Sequence, residues 1–229
     1  MSKYLVCAVL IVLFTGCNTT KLGLKVPKNI QSDTNDENQN GNDSDIQSED
    51  VNTVVQGFLG KRYSEPVFVG NERINLDCIG LILAVYKSMG IDLSVDFNRH
   101  PGNGISRLYA TLLERSLLHN GRPAVGDIIF WDNTWDRSQD GNPGNNPLTH
   151  AGLVLTVEPD GQIYYVHANY VRGVVVEEMN LERPDVYRDQ SGKVLNSILY
   201  YPATTTNHPE NWLSGQLFNK YGRVVRSLF

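Results

Sequence analysis

Cys78 is the residue of this sequence with the best placement for nucleophilic chemistry. The 229-residue chain has three cysteines, and the other two, Cys7 and Cys17, lie near its start in a segment with the features of an export signal. Cys78 then has no partner for an internal disulfide. An unpaired cysteine in an exported protein is either reactive or buried in a core, and its local sequence favours a reactive thiol.

Asp77 and Cys78 stand at the start of a predicted helix. Apolar residues recur at helical spacing from Cys78 to Met89, Asp77 is a good N-cap and Gly90 is a good residue to follow the helix. Unpaired backbone N–H groups at such a position lower a thiol pKa and can bind an oxyanion. We therefore expect Asp77 and Cys78 to form the cap and the oxyanion site.

His150 and His167 flank a predicted β-hairpin and are the candidates for a general base and its orienting residue. Residues 150–157 and 162–168 are predicted to be strands, and residues 158–161 form the turn between them. If Val157 faces Gln162, then Gly152 faces His167, and the two imidazoles become diagonal neighbours on one face. A shift of one residue would separate them.

Two other interpretations of these histidines remain open. They can be ordinary strand histidines whose hydrogen bonds are satisfied. With Cys78 they also form a donor set that suits zinc, although the chain has no CxxC or HxxxH spacing.

The N-terminus resembles a bacterial lipoprotein signal. One lysine, a short apolar run and Thr15-Gly16 precede Cys17, and the run is too short to span a bilayer. We expect residues 1–16 to be a signal peptide and Cys17 to carry a lipid that anchors the protein to a membrane. Asn18 after the cysteine favours the outer membrane in a diderm cell, with the protein facing the periplasm.

Residues 17–50 are predicted to be a solvated tether. Between Gln31 and Asp50 nearly every side chain is polar or acidic, and seven are acidic with none basic. This segment accounts for the net charge of −5. The remainder, residues 51–229, has the length of one domain and no basic face that would suggest nucleic acid. We expect a monomer without a cofactor.

Several motifs together resemble the NlpC-type family of papain-like cysteine peptidases of the bacterial cell wall. They are Leu76-Asp77-Cys78-Ile79-Gly80-Leu81, Pro123 to Phe130 with its Gly126-Asp127 pair, His150-Ala151-Gly152 and Val166-His167-Ala168. Gly70 matches a glycine of the family's upstream loop. The resemblance covers about residues 57–176.

The resemblance implies an α+β, papain-like fold with the cysteine helix packed on a small antiparallel sheet. It implies Cys78 as nucleophile, His150 as general base and His167 as its orienting residue. Hydrolysis of γ-D-glutamyl–diaminopimelate bonds in peptidoglycan peptides follows by analogy.

Three features depart from the family pattern. Ile79 stands where serine is usual, and the family's upstream tyrosine has no clean counterpart, Tyr63 being the nearest. A long loop, residues 132–148, precedes His150 and resembles the related CHAP group, which includes N-acetylmuramoyl-L-alanine amidases. Two alternative functions therefore remain: a CHAP-like amidase, and a non-catalytic, lipid-anchored protein that binds peptidoglycan or serves as a scaffold.

Aromatic residues near the site are candidates for a substrate groove, namely Tyr63, Trp131 and Trp135, although core packing is the commoner role of tryptophan. Asp136, Ser138 and Asp140 echo the start of a calcium-binding loop, but Pro147 replaces its glutamate and a polar turn is the preferred interpretation.

The C-terminal part has no functional interpretation. We expect a strand over residues 197–201 and a short amphipathic helix from Glu210 to Phe218, with Trp212, Leu213, Leu217 and Phe218 facing the core.

Overall fold

The structure is a computed structural model that describes residues 48–200 and 212–229. The predicted signal peptide, the lipidation site Cys17 and nearly all of the predicted tether lie outside the described residues. Within those two ranges, every helix is too short or too polar to cross a membrane.

The first described helix, α1 (Ser48–Gln56), begins inside the segment predicted to be tether. Val51 and Val55 are fully buried, and α1 contacts the cysteine helix. The folded unit therefore begins before the predicted boundary at residue 51, because these two valines anchor the preceding turn to the core.

Helix α2 (Cys78–Ser88) starts at the cysteine, as the sequence predicted. The Asp77 carboxylate accepts hydrogen bonds from the backbone N–H groups of Ile79 (3.1 Å) and Gly80 (2.7 Å). At the other end Gly90 has a φ of +79°, a left-handed conformation that favours glycine. Capping at both ends determines where this helix begins and ends.

Apart from short 3₁₀ helices at Phe97–Arg99, Pro143–Asn145 and Arg226–Leu228, the remaining described elements are a hairpin, a second long helix and a six-stranded sheet. Strands β1 (Pro66–Val69) and β2 (Glu72–Asn75) form the hairpin, and helix α3 spans Gly104–Glu114. The sheet contains β3 (Leu118–His119), β4 (Ile128–Trp131), β5 (His150–Val157), β6 (Gln162–Asn169), β7 (Gly173–Asn180) and β8 (Phe218–Gly222).

The sheet is antiparallel throughout, in the order β3-β8-β4-β5-β6-β7. Helix α2 contacts β5 and β6 as well as the β1–β2 hairpin. Helices packed on an antiparallel sheet confirm the predicted α+β class.

Alternating residues of the strands enter two buried clusters. The first cluster packs with α2 and includes Ala151, Leu153, Val166 and Ala168. The second includes Trp131, Val154, Tyr165 and Tyr221. Because successive side chains of a strand point to opposite faces, the clusters lie on the two sides of the sheet.

The β5–β6 hairpin differs from its prediction at the turn but agrees with it near the histidines. Val157 pairs with Ile163 instead of Gln162, and a bulge between Val154 and Thr156 shifts the register by one residue. Beyond the bulge Leu153 pairs with Val166, which is the register the sequence argument required. A bulge inserts one extra residue on one strand and so corrects the offset.

Asp127, of the Gly-Asp motif, is a structural anchor at the start of β4. It is 2% exposed and accepts hydrogen bonds from both Nε and Nη2 of Arg223, at 3.0 and 2.7 Å. The Ala124 N–H donates to it at 2.8 Å, and His119 Nε2 lies 3.1 Å away. This network joins β3, β4 and the end of β8.

Within the described residues, the strand and the helix predicted for the C-terminal part are not formed, whereas Trp212 and Leu217 are buried as expected. Ile198 forms only an isolated bridge with Leu213, and Glu210 lies outside the described residues. Residues 214–217 form turns, and Gln216 Oε1 accepts from the N–H groups of Trp212 and Leu213. Phe218 begins strand β8 instead of ending a helix. Short apolar segments fit either element, and here pairing with β3 and β4 decided the outcome.

Candidate active site

The Cys78 thiol lies at the first residue of α2, half-buried against the first cluster. Loss of hydration and then the Asp77 charge raise its pKa to about 12, and the backbone N–H groups of Ile79, Cys78 and Ala151 lower it by less. The expectation that the helix start lowers this pKa was therefore wrong in its net direction. The N–H groups do favour the thiolate, but desolvation and the capping carboxylate outweigh them.

The side chains of His150 and His167 are joined by a direct hydrogen bond. Nε2 of His150 lies 2.7 Å from Nδ1 of His167, and the rings meet edge to face. Desolvation and then the neighbouring His167 hold the pKa of His150 well below its usual range. Desolvation and then the charge of Arg172 lower the pKa of His167 to about 3. Both imidazoles are therefore neutral near pH 7.

The pair leaves Nδ1 of His150 available for proton transfer, because its Nε2 is already engaged. In the part of the chain that the structure describes, no hydrogen bond joins the Cys78 thiol to His150. The two residues are close because the N–H of Ala151, the residue after His150 on β5, faces the Cys78 sulfur. Catalytic hydrogen bonds are often long without substrate and tighten when it binds.

A buried carboxylate that was not predicted from the sequence lies next to His167. Glu177 of β7 is 2% exposed, and its Oε2 lies 3.2 Å from Nε2 of His167. The same carboxylate pairs with Arg172 and accepts a hydrogen bond from the Tyr165 hydroxyl at 3.2 Å. An acidic residue immediately after Val174-Val175-Val176 in a buried strand was the available signal.

Tyr63 lies near the nucleophile. Desolvation and then the nearby Cys78 raise its pKa to about 12, with smaller contributions from Asp77 and Tyr170. Its ring packs against Tyr170 at 5.2 Å between centroids. The phenol is therefore a neutral hydrogen-bond donor beside the thiol at neutral pH.

Trp131 is not part of a groove, contrary to expectation. It is fully buried, and its Nε1 donates to the Ser214 carbonyl at 2.8 Å. A Cβ at Gly152 would lie 3.1 Å from this indole and 2.8 Å from the Val166 carbonyl. Gly152 therefore makes room for the Trp131 ring, which lies beside His150 with the two rings tilted. Trp135 is 39% exposed and stays a candidate for the groove.

The loop before His150 uses its carboxylates to hold its own turns. Asp136 accepts from the Ser138 hydroxyl and from the N–H groups of Gln139 and Gly141. Asp140 accepts from the Asn142 N–H and the Asn145 amide. This is the polar turn that the sequence favoured over a calcium loop.

The zinc interpretation does not fit the geometry either. Nε2 of His150 and Nδ1 of His167 bond each other, so these two nitrogens cannot point at a common ion. Within residues 48–200 and 212–229, no three His, Cys, Asp or Glu side chains are arranged to hold a metal.

Ile79, which stands where the resembled family usually has serine, has a packing role in this fold. Its side chain borders the first cluster, and a Cβ at Gly104 would lie 2.9 Å from its Cγ2. The start of α3 therefore rests on Ile79, which links the two helices.

Comparisons with protein-family models, with curated proteins and with solved structures find no match for this chain.

Proposed function

We propose that this protein is a papain-like cysteine hydrolase of bacterial peptidoglycan, with Cys78 as nucleophile, His150 as base and His167 as its orienting residue. The observation that carries the proposal is the 2.7 Å contact between the imidazoles of His150 and His167. His150 lies on β5 next to Ala151, whose N–H faces the Cys78 thiol at the capped start of α2. A nucleophile, a base and a third group that holds the base are the parts of such a site.

The chemistry begins from a neutral thiol and a neutral imidazole. As substrate brings them together, Nδ1 of His150 takes the Sγ proton while the sulfur attacks the scissile carbonyl carbon. The tetrahedral intermediate collapses when His150 returns this proton to the leaving amine, and the C–N bond breaks. Water, deprotonated by His150, then hydrolyses the thioester and regenerates Cys78.

Two donors can stabilise the oxyanion of the intermediate. The cap of Asp77 uses the N–H groups of Ile79 and Gly80, which leaves the N–H of Cys78 itself. The neutral Tyr63 phenol near the thiol is the second donor. We therefore assign to Tyr63 the position of the family's upstream tyrosine. Donors placed where charge develops are usually the largest contribution to such catalysis.

The substrate class rests on the sequence resemblance. The γ-D-glutamyl–diaminopimelate bond of wall peptides is the proposed target, and hydrolysis of the N-acetylmuramoyl-L-alanine bond by a CHAP-like amidase is the alternative. A lipid on Cys17 and a flexible tether would place the enzyme in the cell envelope, within reach of peptidoglycan. No cofactor and no nucleic-acid partner is proposed.

Purified muropeptides test this function directly. The chain is incubated with them beside Cys78→Ala, His150→Ala and the matched control His119→Asn, which removes an imidazole from the same sheet away from the site. We expect cleavage by the parent and by His119→Asn, and loss of at least about 1,000-fold in the first two variants. Circular dichroism checks that each variant folds.

The products distinguish the alternatives. Their masses tell a cut within the peptide from removal of the whole peptide from muramic acid. Cleavage that persists in Cys78→Ala would show that the nucleophile is misassigned. A parent that binds muropeptides and releases no product would support the non-catalytic binding protein.

A further inference from the structure

Glu177 is a buried acidic residue whose position requires a reason. It is 2% exposed although it lies on β7, an edge strand of the antiparallel sheet, and a buried ionised carboxylate is costly unless it is paired and hydrogen-bonded. In the β6–β7 ladder Tyr165 pairs with Glu177, and His167 stands two residues further along β6. Glu177, Tyr165 and His167 therefore share one face of the sheet.

Three groups contact the two carboxylate oxygens. Arg172, in the β6–β7 turn, pairs with Oε1. The Tyr165 hydroxyl donates to Oε2 at 3.2 Å, and Nε2 of His167 lies at the same distance from that atom. The His167 contact has the length of a hydrogen bond but lacks its alignment. A carboxylate with a guanidinium partner is stable as an anion, and an ionised carboxylate can only accept hydrogen bonds.

A hydrogen bond from His167 to Glu177 would determine where the protons of the two imidazoles lie. A neutral imidazole carries one N–H and one bare nitrogen. If Oε2 of Glu177 is the acceptor, His167 holds its proton on Nε2, and its Nδ1 is bare. His150 must then donate from Nε2 across the 2.7 Å contact. Nδ1 of His150 is left bare, which is the form that can take a proton from Cys78.

We propose that Glu177 is a positioning residue that selects the tautomers of both His167 and His150, with Arg172 keeping its carboxylate ionised. This inference rests on the proposed function for its catalytic consequence, although the tautomers themselves can be observed without any activity. It extends the site from three residues to a row that crosses β5, β6 and β7 and ends at the exposed side chain of Arg172.

Glu177→Gln is the direct test, since it keeps the size of the side chain and removes its charge. Glu178→Gln is the matched control: the next residue of β7 points to the other face, where its carboxylate accepts from Ser197 at 2.7 Å. In Glu177→Gln we expect kcat on muropeptides to fall about 10- to 100-fold with KM unchanged. In Glu178→Gln we expect both constants to stay near those of the parent.

Nitrogen NMR of the histidine rings in the full chain gives a readout that a purely structural role would not change. In the parent we expect His167 to be protonated on Nε2 and bare on Nδ1, and His150 the same. In Glu177→Gln we expect the ring signals of both residues to move toward an average of the two tautomers. Because NMR needs no substrate, it still tests Glu177 if the parent cleaves nothing.

Variants of Arg172 keep the proposal testable if Glu177→Gln does not fold, because this side chain is 55% exposed. Arg172→Gln removes the counter-charge, and we expect the same fall in kcat and the same movement of ring signals. Arg172→Lys retains a positive charge and should restore most of both.

Two results would overturn the inference. The first is a folded Glu177→Gln whose His167 and His150 ring signals match those of the parent. The second is an Arg172→Gln that raises KM and leaves kcat and the ring signals unchanged, since this side chain would then bind substrate instead of holding Glu177.

Discussion

Among single residues, Cys78 shows two opposing influences on the pKa of its thiol. The N–H groups of Ile79, Cys78 and Ala151 lower the pKa of Cys78, while loss of hydration and the Asp77 charge raise it further. With His150 neutral as well, no thiolate–imidazolium pair forms before substrate arrives. In the proposed mechanism His150 is therefore a general base that deprotonates the thiol as the sulfur attacks the carbonyl.

Alkylation of Cys78 by iodoacetamide should follow from this resting state. Because the pKa of the thiol is raised to about 12, the thiolate fraction should grow about tenfold per pH unit between about pH 7 and pH 10. Mass spectrometry of the peptide that contains Cys78 measures the rate, with Cys78→Ala as the blank. A rate that is already constant above about pH 7 would mean that the ion pair exists.

At the scale of elements, one side chain both ends the loop before α2 and influences the reactivity of its first residue. The Asp77 carboxylate satisfies two N–H groups of the helix start. The same negative charge raises the pKa of Cys78. Stability and reactivity are therefore in opposition at this position.

Two substitutions of Asp77 separate these effects. Asp77→Ala removes cap and charge, so we expect the free energy of unfolding to fall by about 1 kcal/mol and Cys78 alkylation to accelerate. Asp77→Asn keeps a capping oxygen and removes the charge, so alkylation should accelerate with little loss of stability. Urea unfolding and the alkylation rate measure the two quantities. Slower alkylation in Asp77→Asn would contradict the assigned role of the charge.

The dependence of stability on pH belongs to the whole molecule. His167 is 1% exposed and neutral when folded, with its pKa lowered to about 3, whereas an unfolded histidine titrates near pH 6.5. Its contribution to stability is therefore fully present above about pH 6.5 and is lost as the pH falls from there toward 3, because the unfolded chain then binds more protons.

Urea unfolding at about pH 7 and pH 5 should show this loss. The contribution of His167 is at most about 1.4 kcal/mol per pH unit. We expect His167→Asn to be less stable at pH 7 but to lose less stability on acidification. Val166→Ala, a neighbouring core variant without a titrating group, should keep the slope of the parent. If the stability of the parent and of His167→Asn changed equally with pH, the buried neutral His167 would not be a cause of the pH dependence.

Short-range sequence signals were enough to predict helix α2 and the capping at its two ends. Asp77 as cap, Gly90 after the helix and the apolar spacing between them are all short-range signals, and they predicted the observed start at Cys78. The apolar and aromatic residues of segments 150–157 and 162–168, with a turn sequence between them, likewise predicted the hairpin that carries both histidines. Such signals suffice because backbone hydrogen bonding and periodicity are local.

The properties of the candidate site and the identity of strand β8 depend on tertiary contacts. The net direction of the Cys78 pKa shift depends on burial, and the meeting of His150 with His167 depends on a bulge near Leu155 that offsets the turn. Strand β8 exists because β3 and β4 pair with it, and Glu177 reaches His167 only across the β6–β7 ladder. Desolvation and strand pairing join residues that are distant in the chain, so no short segment contains them.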